Sequence, residues 1–182
     1  MFKKLNILDE KDPHLRKVSV DATFPLSKEY KKTIQQIIDE LTYSQIEEYS
    51  KKYDLRPGMG LAFPQLGINE RIIVIVHEVD EGVFDNYVFI NPKIVSSSAE
   101  QIAAEEGEGC LSVNREVPGH VKRCARVTVE GYDEDGNKIQ VRAREELAIA
   151  FQHEIDHLNG ILFYDRIDPK KPFYNDNEIR LI

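Results

Sequence analysis

One short segment constrains this chain more than any other: Gln152-His153-Glu154-Ile155-Asp156-His157-Leu158. The run from about Glu145 to Asn159 carries apolar residues at helical spacing, and Gly160 is suited to stop it. On a helix, His153 and His157 lie one turn apart on the same face, so both imidazoles can reach one metal ion. Glu154 then stands beside the ion's open position, where it can take a proton from bound water. At about 100° per residue, Ala150, His153, Glu154 and His157 share one side of the helix. Leu147, Phe151, Ile155 and Leu158 share the adjacent side, which is the expected core face, and Gln152, Asp156 and Asn159 form a polar third side. Only five histidines occur in 182 residues, which makes a chance pairing in this pattern a poor explanation.

A catalytic site of this type takes three protein ligands and leaves one position for water. Downstream of His157 the candidates are Asp165, Asp168, Asp176 and Glu178, and none falls at the spacing of the extended metallopeptidase motifs. Upstream, Glu108-Gly109-Cys110-Leu111-Ser112-Val113 offers Cys110, whose thiolate would complete a Cys-His-His set. Taken alone, a free cysteine is more often a small buried hydrophobe than a ligand. Cys124, in the basic run Lys122 to Arg126, is expected to be no ligand. A third segment, Gly58-Met59-Gly60-Leu61-Ala62-Phe63-Pro64-Gln65-Leu66-Gly67, lacks the ending of a phosphate loop. It reads either as a plain turn or as a backbone on which an extended substrate can lie, with the Gln65 amide available to a developing oxyanion.

The rest of the chain supplies the frame. A first helix is expected from about Pro25 to Tyr53, with Tyr30, Ile34, Ile37 and Leu41 on its packing face. Pro57, Gly58 and Gly60 break it. Strands are expected at Arg71 to Val76, at Tyr87 to Ile90 (ended by Asn91-Pro92) and from Val121 to Tyr132, with a hairpin turn at Asp133 to Gly136 and a return strand from Lys138 to Arg142. The tail after Pro169 is polar and ends in a short strand or frays. The fold class is therefore α+β: antiparallel sheets around a central helix that bears His-Glu-x-x-His, with a long N-terminal helix, all within one domain spanning residues 1–182.

Composition excludes several classes. A net charge of −8 disfavours general nucleic-acid or anionic-membrane binding. No run approaches a membrane span or a signal peptide. Two cysteines do not make a disulfide framework, so a reducing cytoplasm is the expected setting.

Taken together and in order, the three segments resemble the signature motifs of the peptide deformylase family: Gly-x-Gly-x-Ala-Ala-Pro-Gln, Glu-Gly-Cys-Leu-Ser and His-Glu-x-Asp-His-Leu. Phe63 departs, standing where the family usually has Ala, and is expected to add bulk beside the substrate groove. The long stretch before Gly58 and the Cys-Leu-Ser-Val form of the second motif resemble the second of two bacterial subclasses. The resemblance implies removal of the formyl group from N-formylmethionyl nascent peptides, with Cys110, His153 and His157 as metal ligands. It implies Glu154 as general base toward metal-bound water, and an oxyanion held by Gln65 and the Leu111 N–H. Gly60 would hold the peptide, and Ile149 and Ala150 would line the methionine pocket. It suggests Fe2+ as native metal, with Zn2+, Ni2+ or Co2+ as substitutes, and a cytoplasmic monomer that works near the ribosome exit tunnel. The competing readings are a zinc-dependent endopeptidase, which needs a ligand downstream of His157, and a closed structural metal site. His120 is expected in a solvent-exposed loop rather than as a fourth ligand.

Overall fold

The computed structural model describes residues 2–182. Its centre is a five-stranded antiparallel sheet built from β1 (Gly60–Ala62), β2 (Ile72–Asp80), β3 (Val83–Ser97), β6 (Arg126–Tyr132) and β7 (Lys138–Arg144), in the order β1-β2-β3-β6-β7. A smaller sheet joins β4 (Gln101–Ala103) to β5 (Arg123–Cys124) and, in parallel, to β8 (Arg180–Leu181) near the C-terminus. Helix α1 (Lys28–Gln45) covers one face of the large sheet and α3 (Glu145–Leu158) covers the other.

Strand β2 shows why the sheet sits between two helices. Ile72 to Val76 is a continuous branched run with every side chain fully buried. Successive side chains alternate faces. Ile72, Val74 and Val76 therefore pack with Ile34, Ile37 and Leu41 of α1. Ile73 and Ile75 pack with Leu147, Phe151, Ile155 and Leu158 of α3. These four α3 residues are the core face expected from their spacing.

The expected single helix from Pro25 to Tyr53 is in fact two. Ser27 caps α1 by accepting the Tyr30 N–H at 3.1 Å, and α1 ends at Ile46, which is extended (φ −102°, ψ 116°). A short α2 (Glu47–Tyr53) follows. The Gln45 amide donates to Gly58 O at 3.2 Å and Val76 O at 3.0 Å, and Ser44 Oγ donates back to Leu41 O at 2.8 Å. The two Gln45 bonds tie the last turn of α1 to β2 and to the segment before β1, and the chain changes direction there. Strand β3 differs in the opposite sense, because it runs through Asn91-Pro92. One extra residue is absorbed as a bulge between Ile90 and Lys93, with Asn91 at φ 54°. The Asn91 side chain pairs with the backbone of Ala22 at 2.8 and 3.0 Å, which pins the bulge at the point where Pro92 has no N–H to give to the ladder.

Two side chains lie where the sequence did not place them. Phe63 is fully buried on the α1 face, 5.5 Å edge-to-face from Tyr30, and does not border the groove. His120 is buried rather than exposed. Its Nδ1 accepts the Tyr174 N–H at 3.0 Å, so Nε2–H donates to Glu105 O at 3.1 Å. Among the described residues, no helix is long and apolar enough to cross a membrane.

Candidate metal centre and active site

Helix α3 leaves the edge of β7 at Glu145 and ends near Gly160, which takes a left-handed conformation (φ 71°) against the backbone of Arg16. A Cβ at Gly160 would lie 2.8 Å from the Arg16 carbonyl carbon, so glycine is required there for space as well as for φ. The helix buries His153, Glu154, Asp156 and His157 together. Its polar side is fully engaged. The Gln152 amide brackets the Cys124 backbone at 2.9 Å on both sides, Asn159 Oδ1 accepts from Arg71 at 3.0 Å, and Asp156 pairs with two arginines. Cys124 itself packs away from the histidines, against the α3 core.

The loop before β5 brings Cys110 to the same place. One donor atom from each of Cys110, His153 and His157 lies within 4.8 Å of the others, and Cys110 Sγ is 3.4 Å from His157 Nε2. A tetrahedral ion with metal–sulfur and metal–nitrogen bonds of ordinary length would set such a pair about 3.5 Å apart. The residues therefore fit a single transition-metal ion with one position over. None of the four downstream acids joins them. Asp165 accepts the Leu162 N–H at 2.8 Å and pairs with Arg16, Asp168 accepts the Lys170 N–H at 2.8 Å, Asp176 accepts from Leu181 at 3.2 Å, and Glu178 pairs with Lys171.

Electrostatics differentiate the three buried groups on the helix. Burial holds His157 well below the ordinary imidazole range, assisted by the neighbouring charge of His153, so the ring is neutral and one of its nitrogens keeps a free lone pair. Burial also opposes charge on His153, but hydrogen bonds with Cys110 and Glu108 outweigh it and raise that ring well above its ordinary value. A proton and a metal ion thus compete for the same nitrogen. Burial pushes Glu154 up to about 7, and its Oε2 has no hydrogen-bond partner among the described residues. Gly60 makes room for this carboxylate, since a Cβ there would lie 2.8 Å from Glu154 Cγ.

A layer behind the donors holds them. His153 Nδ1–H donates to Glu108 at 2.8 Å, which turns Nε2 toward the centre. Glu108 also accepts from Arg123 at 2.7 and 3.0 Å, and Arg123 donates to Asp156 at 2.6 Å. Arg166 closes the chain with two bonds to Asp156, at 2.5 and 2.6 Å. Burial would raise Glu108, yet the bonds from His153 and Arg123 overrule it and bring the carboxyl down to about 2. The roles of Glu108 and Arg123 went unread in the sequence. The available signal was chemical: a metal-bound imidazole nearly always gives its second N–H to a carboxylate or carbonyl.

The remaining expected residues gather around one cleft of about 940 Å³, bordered by Gly60, Gln65, Cys110, Leu111, Ile149 and Ala150 together with His153 and Glu154. Gln65 is buried, with Oε1 accepting the Ala62 N–H at 2.9 Å and Nε2 directed to Ser112 Oγ at 3.1 Å and Cys110 Sγ at 3.7 Å. Ile149 and Ala150 lie one turn before His153 and Glu154. Gly60 is on β1, an edge strand of the large sheet.

A thiolate and two imidazoles that leave one position over, beside a buried carboxylate, define a metal-dependent hydrolase rather than a structural clip. The profile of the polypeptide deformylase family matches residues 4–173. A curated relative, peptide deformylase 2 of Geobacillus stearothermophilus, is 49% identical over 174 residues, covering 95% of this chain and 94% of its own. The crystal structure of peptide deformylase from Thermotoga maritima aligns with TM-score 0.71 at 35% identity, covering 92% of this chain and 99% of that one. A Met-Ala-Ser-bound class I type b peptide deformylase from Acinetobacter baumannii aligns with TM-score 0.72 at 26% identity, covering 92% and 100%. This chain belongs to the polypeptide deformylase family.

Proposed function

We propose that this protein hydrolyses the formyl group from N-formylmethionyl peptides, with residues 1–182 acting as one catalytic domain. The observation that carries the reading is the convergence of Cys110, His153 and His157 beside an unpartnered, buried Glu154 at the head of a cleft. Cys110, His153 and His157 would hold the metal. We assign Fe2+ as the native ion, with Zn2+, Ni2+ or Co2+ able to replace it, since thiolate and imidazole suit all four. When bound, such an ion polarises a carbonyl and supplies a nucleophilic water at neutral pH.

The chain's own groups do the rest. Glu154, poised at about 7, takes a proton from the attacking water and passes it to the departing amine nitrogen as the formyl C–N bond breaks. Formate and a free N-terminus result. Gln65 Nε2 and the Leu111 N–H are the donors assigned to the oxygen that gains charge, each worth about 3 kcal/mol in such a role. The backbone of Gly60, on an edge strand, would pair with the extended peptide. Ile149 and Ala150 would shape the wall against the methionine side chain. The proposed setting is the cytoplasm, with the chain working as a monomer on nascent peptides.

The test is anaerobic turnover of formyl-Met-Ala-Ser with metal content measured in parallel. Glu154→Ala retains its metal and loses activity by about 10²–10⁴-fold. Undiminished turnover in that variant, or equal cleavage of unformylated peptides by the parent, refutes the assignment.

A further inference from the structure

Leu111 owes its assigned role to one backbone N–H, so whatever fixes the Cys110–Leu111 peptide governs that donor. This peptide is trans, as the only cis bond among the described residues is Phe24-Pro25. In a planar trans unit the C=O and N–H point in opposite directions. Anchoring the Cys110 carbonyl therefore aims the Leu111 N–H.

The Cys110 carbonyl has two anchors. One is local: the Val113 N–H donates to it at 3.0 Å and closes a turn over Leu111 and Ser112. The other comes from 54 residues away in sequence: Arg56 Nη2 donates to the same oxygen at 2.6 Å. Arg56 Nη1 reaches the far end of the turn, at Val113 O (3.1 Å) and Asn114 Oδ1 (2.9 Å). One planar guanidinium thus spans both ends of the turn. Other partners hold the turn's middle and flank: Glu10 N–H on Ser112 O at 2.7 Å, Gln65 on Ser112 Oγ at 3.1 Å, and Asn114 Nδ2 on Asp9 at 2.9 Å. None of these touches the Cys110 carbonyl. Among the described residues, the Leu111 N–H itself is given to no protein acceptor, and Leu111 borders the cleft. Its donor is available to a ligand.

We infer that Arg56 is a positioning residue for the oxyanion site: it grips the Cys110 carbonyl so that the opposite end of that peptide, the Leu111 N–H, faces the reacting carbonyl. A charged donor on the C=O also polarises the shared amide, which strengthens its N–H as a donor. A lysine offers a point charge rather than a rigid fork and cannot bridge both ends of the turn in the same way. The inference rests on the deformylase reading and extends it to a residue outside the three motifs.

The experiment compares zinc-loaded parent, Arg56→Ala and Arg56→Lys. Turnover of formyl-Met-Ala-Ser, metal per chain and the 15N–1H resonances of uniformly labelled protein are measured. Loss of a whole oxyanion donor lowers kcat by roughly 10²–10³; a donor misaimed rather than removed is expected to lower it about tenfold. Arg56→Ala should show that fall with KM and metal content unchanged and the Leu111 amide proton displaced. Arg56→Lys should lie between it and the parent. An unchanged kcat, a loss that tracks loss of metal, or a Leu111 resonance that stays in place overturns the inference. A parent chain with no turnover overturns the functional reading and this inference with it, whereas an active parent with an indifferent Arg56→Ala overturns the inference alone.

Discussion

Glu108→Gln is the perturbation that best separates a buried charge network from surface decoration. In the parent, side-chain exposure is 4% for Glu108, 2% for Arg123 and 7% for Asp156. Glutamine keeps the shape but removes the charge, and one of its two acceptor atoms becomes a donor. Arg123 Nε, Arg123 Nη2 and His153 Nδ1 would then compete for a single oxygen. Removing one partner of a buried ion pair costs about 3–5 kcal/mol where the other charge is left uncompensated; Arg123 keeps Asp156 but shares it with Arg166, so the lower end of that range is expected. For a chain of this size that lowers Tm by roughly 10 °C. Loss of a carboxylate behind a ligating histidine also weakens metal binding about 10–100-fold. Thermal unfolding of zinc-loaded protein and chelator competition measure the two effects separately. The control is Glu100→Gln, whose carboxylate bonds Arg126 and Arg180 at the surface and whose loss should leave Tm within error of the parent. A Glu108→Gln variant as stable as this control, with unchanged chelator competition, would show that the network does not hold His153.

Two further outcomes are expected. Phe63→Ala removes a fully buried ring on the α1 face, so it should cost about 3–5 kcal/mol in urea unfolding while KM for formyl-Met-Ala-Ser stays at the parent value; a KM change with stability intact would return Phe63 to the groove. Burial raises Glu40 above 4.5 despite the Leu5 N–H bond and the charge of Lys4. The folded state therefore holds this proton more tightly than the unfolded chain, and the resulting stabilisation, complete below 4.5, disappears as pH rises through the folded value. Glu40→Gln keeps an acceptor for Leu5 without a charge, so its urea midpoint should gain on the parent between pH 4 and pH 7, and a gap that narrows or reverses would contradict the argument.

Where sequence and structure agree, the signal was periodic or local. The apolar side of α3, the Gly160 stop after it and the hairpin turn between β6 and β7 each depend on neighbours within a few residues. Where they part, a distant group intervened. The helix after Pro25 breaks at Ile46 because Gln45 bonds to Gly58 and Val76, which no local pattern reveals. Strand β3 continues past Asn91-Pro92 through a bulge that is pinned where the Asn91 side chain bonds the backbone of Ala22, from before α1. His120 looked like a loop residue and is buried because the C-terminal segment folds over it through Tyr174.

The same division runs through the site. The chain's local order settles that two imidazoles and a carboxylate share a helix turn, since helical pitch alone sets their spacing. It equally settles that a glycine stands at 60 and a lone thiol at 110. Only folding decides that this thiol arrives 3.4 Å from His157, that Glu108 stands behind His153, and that Arg56 grips the Cys110 carbonyl. Those meetings join residues 45 to 54 positions apart, and their geometry comes from how helices and sheets stack, not from any repeat within the chain.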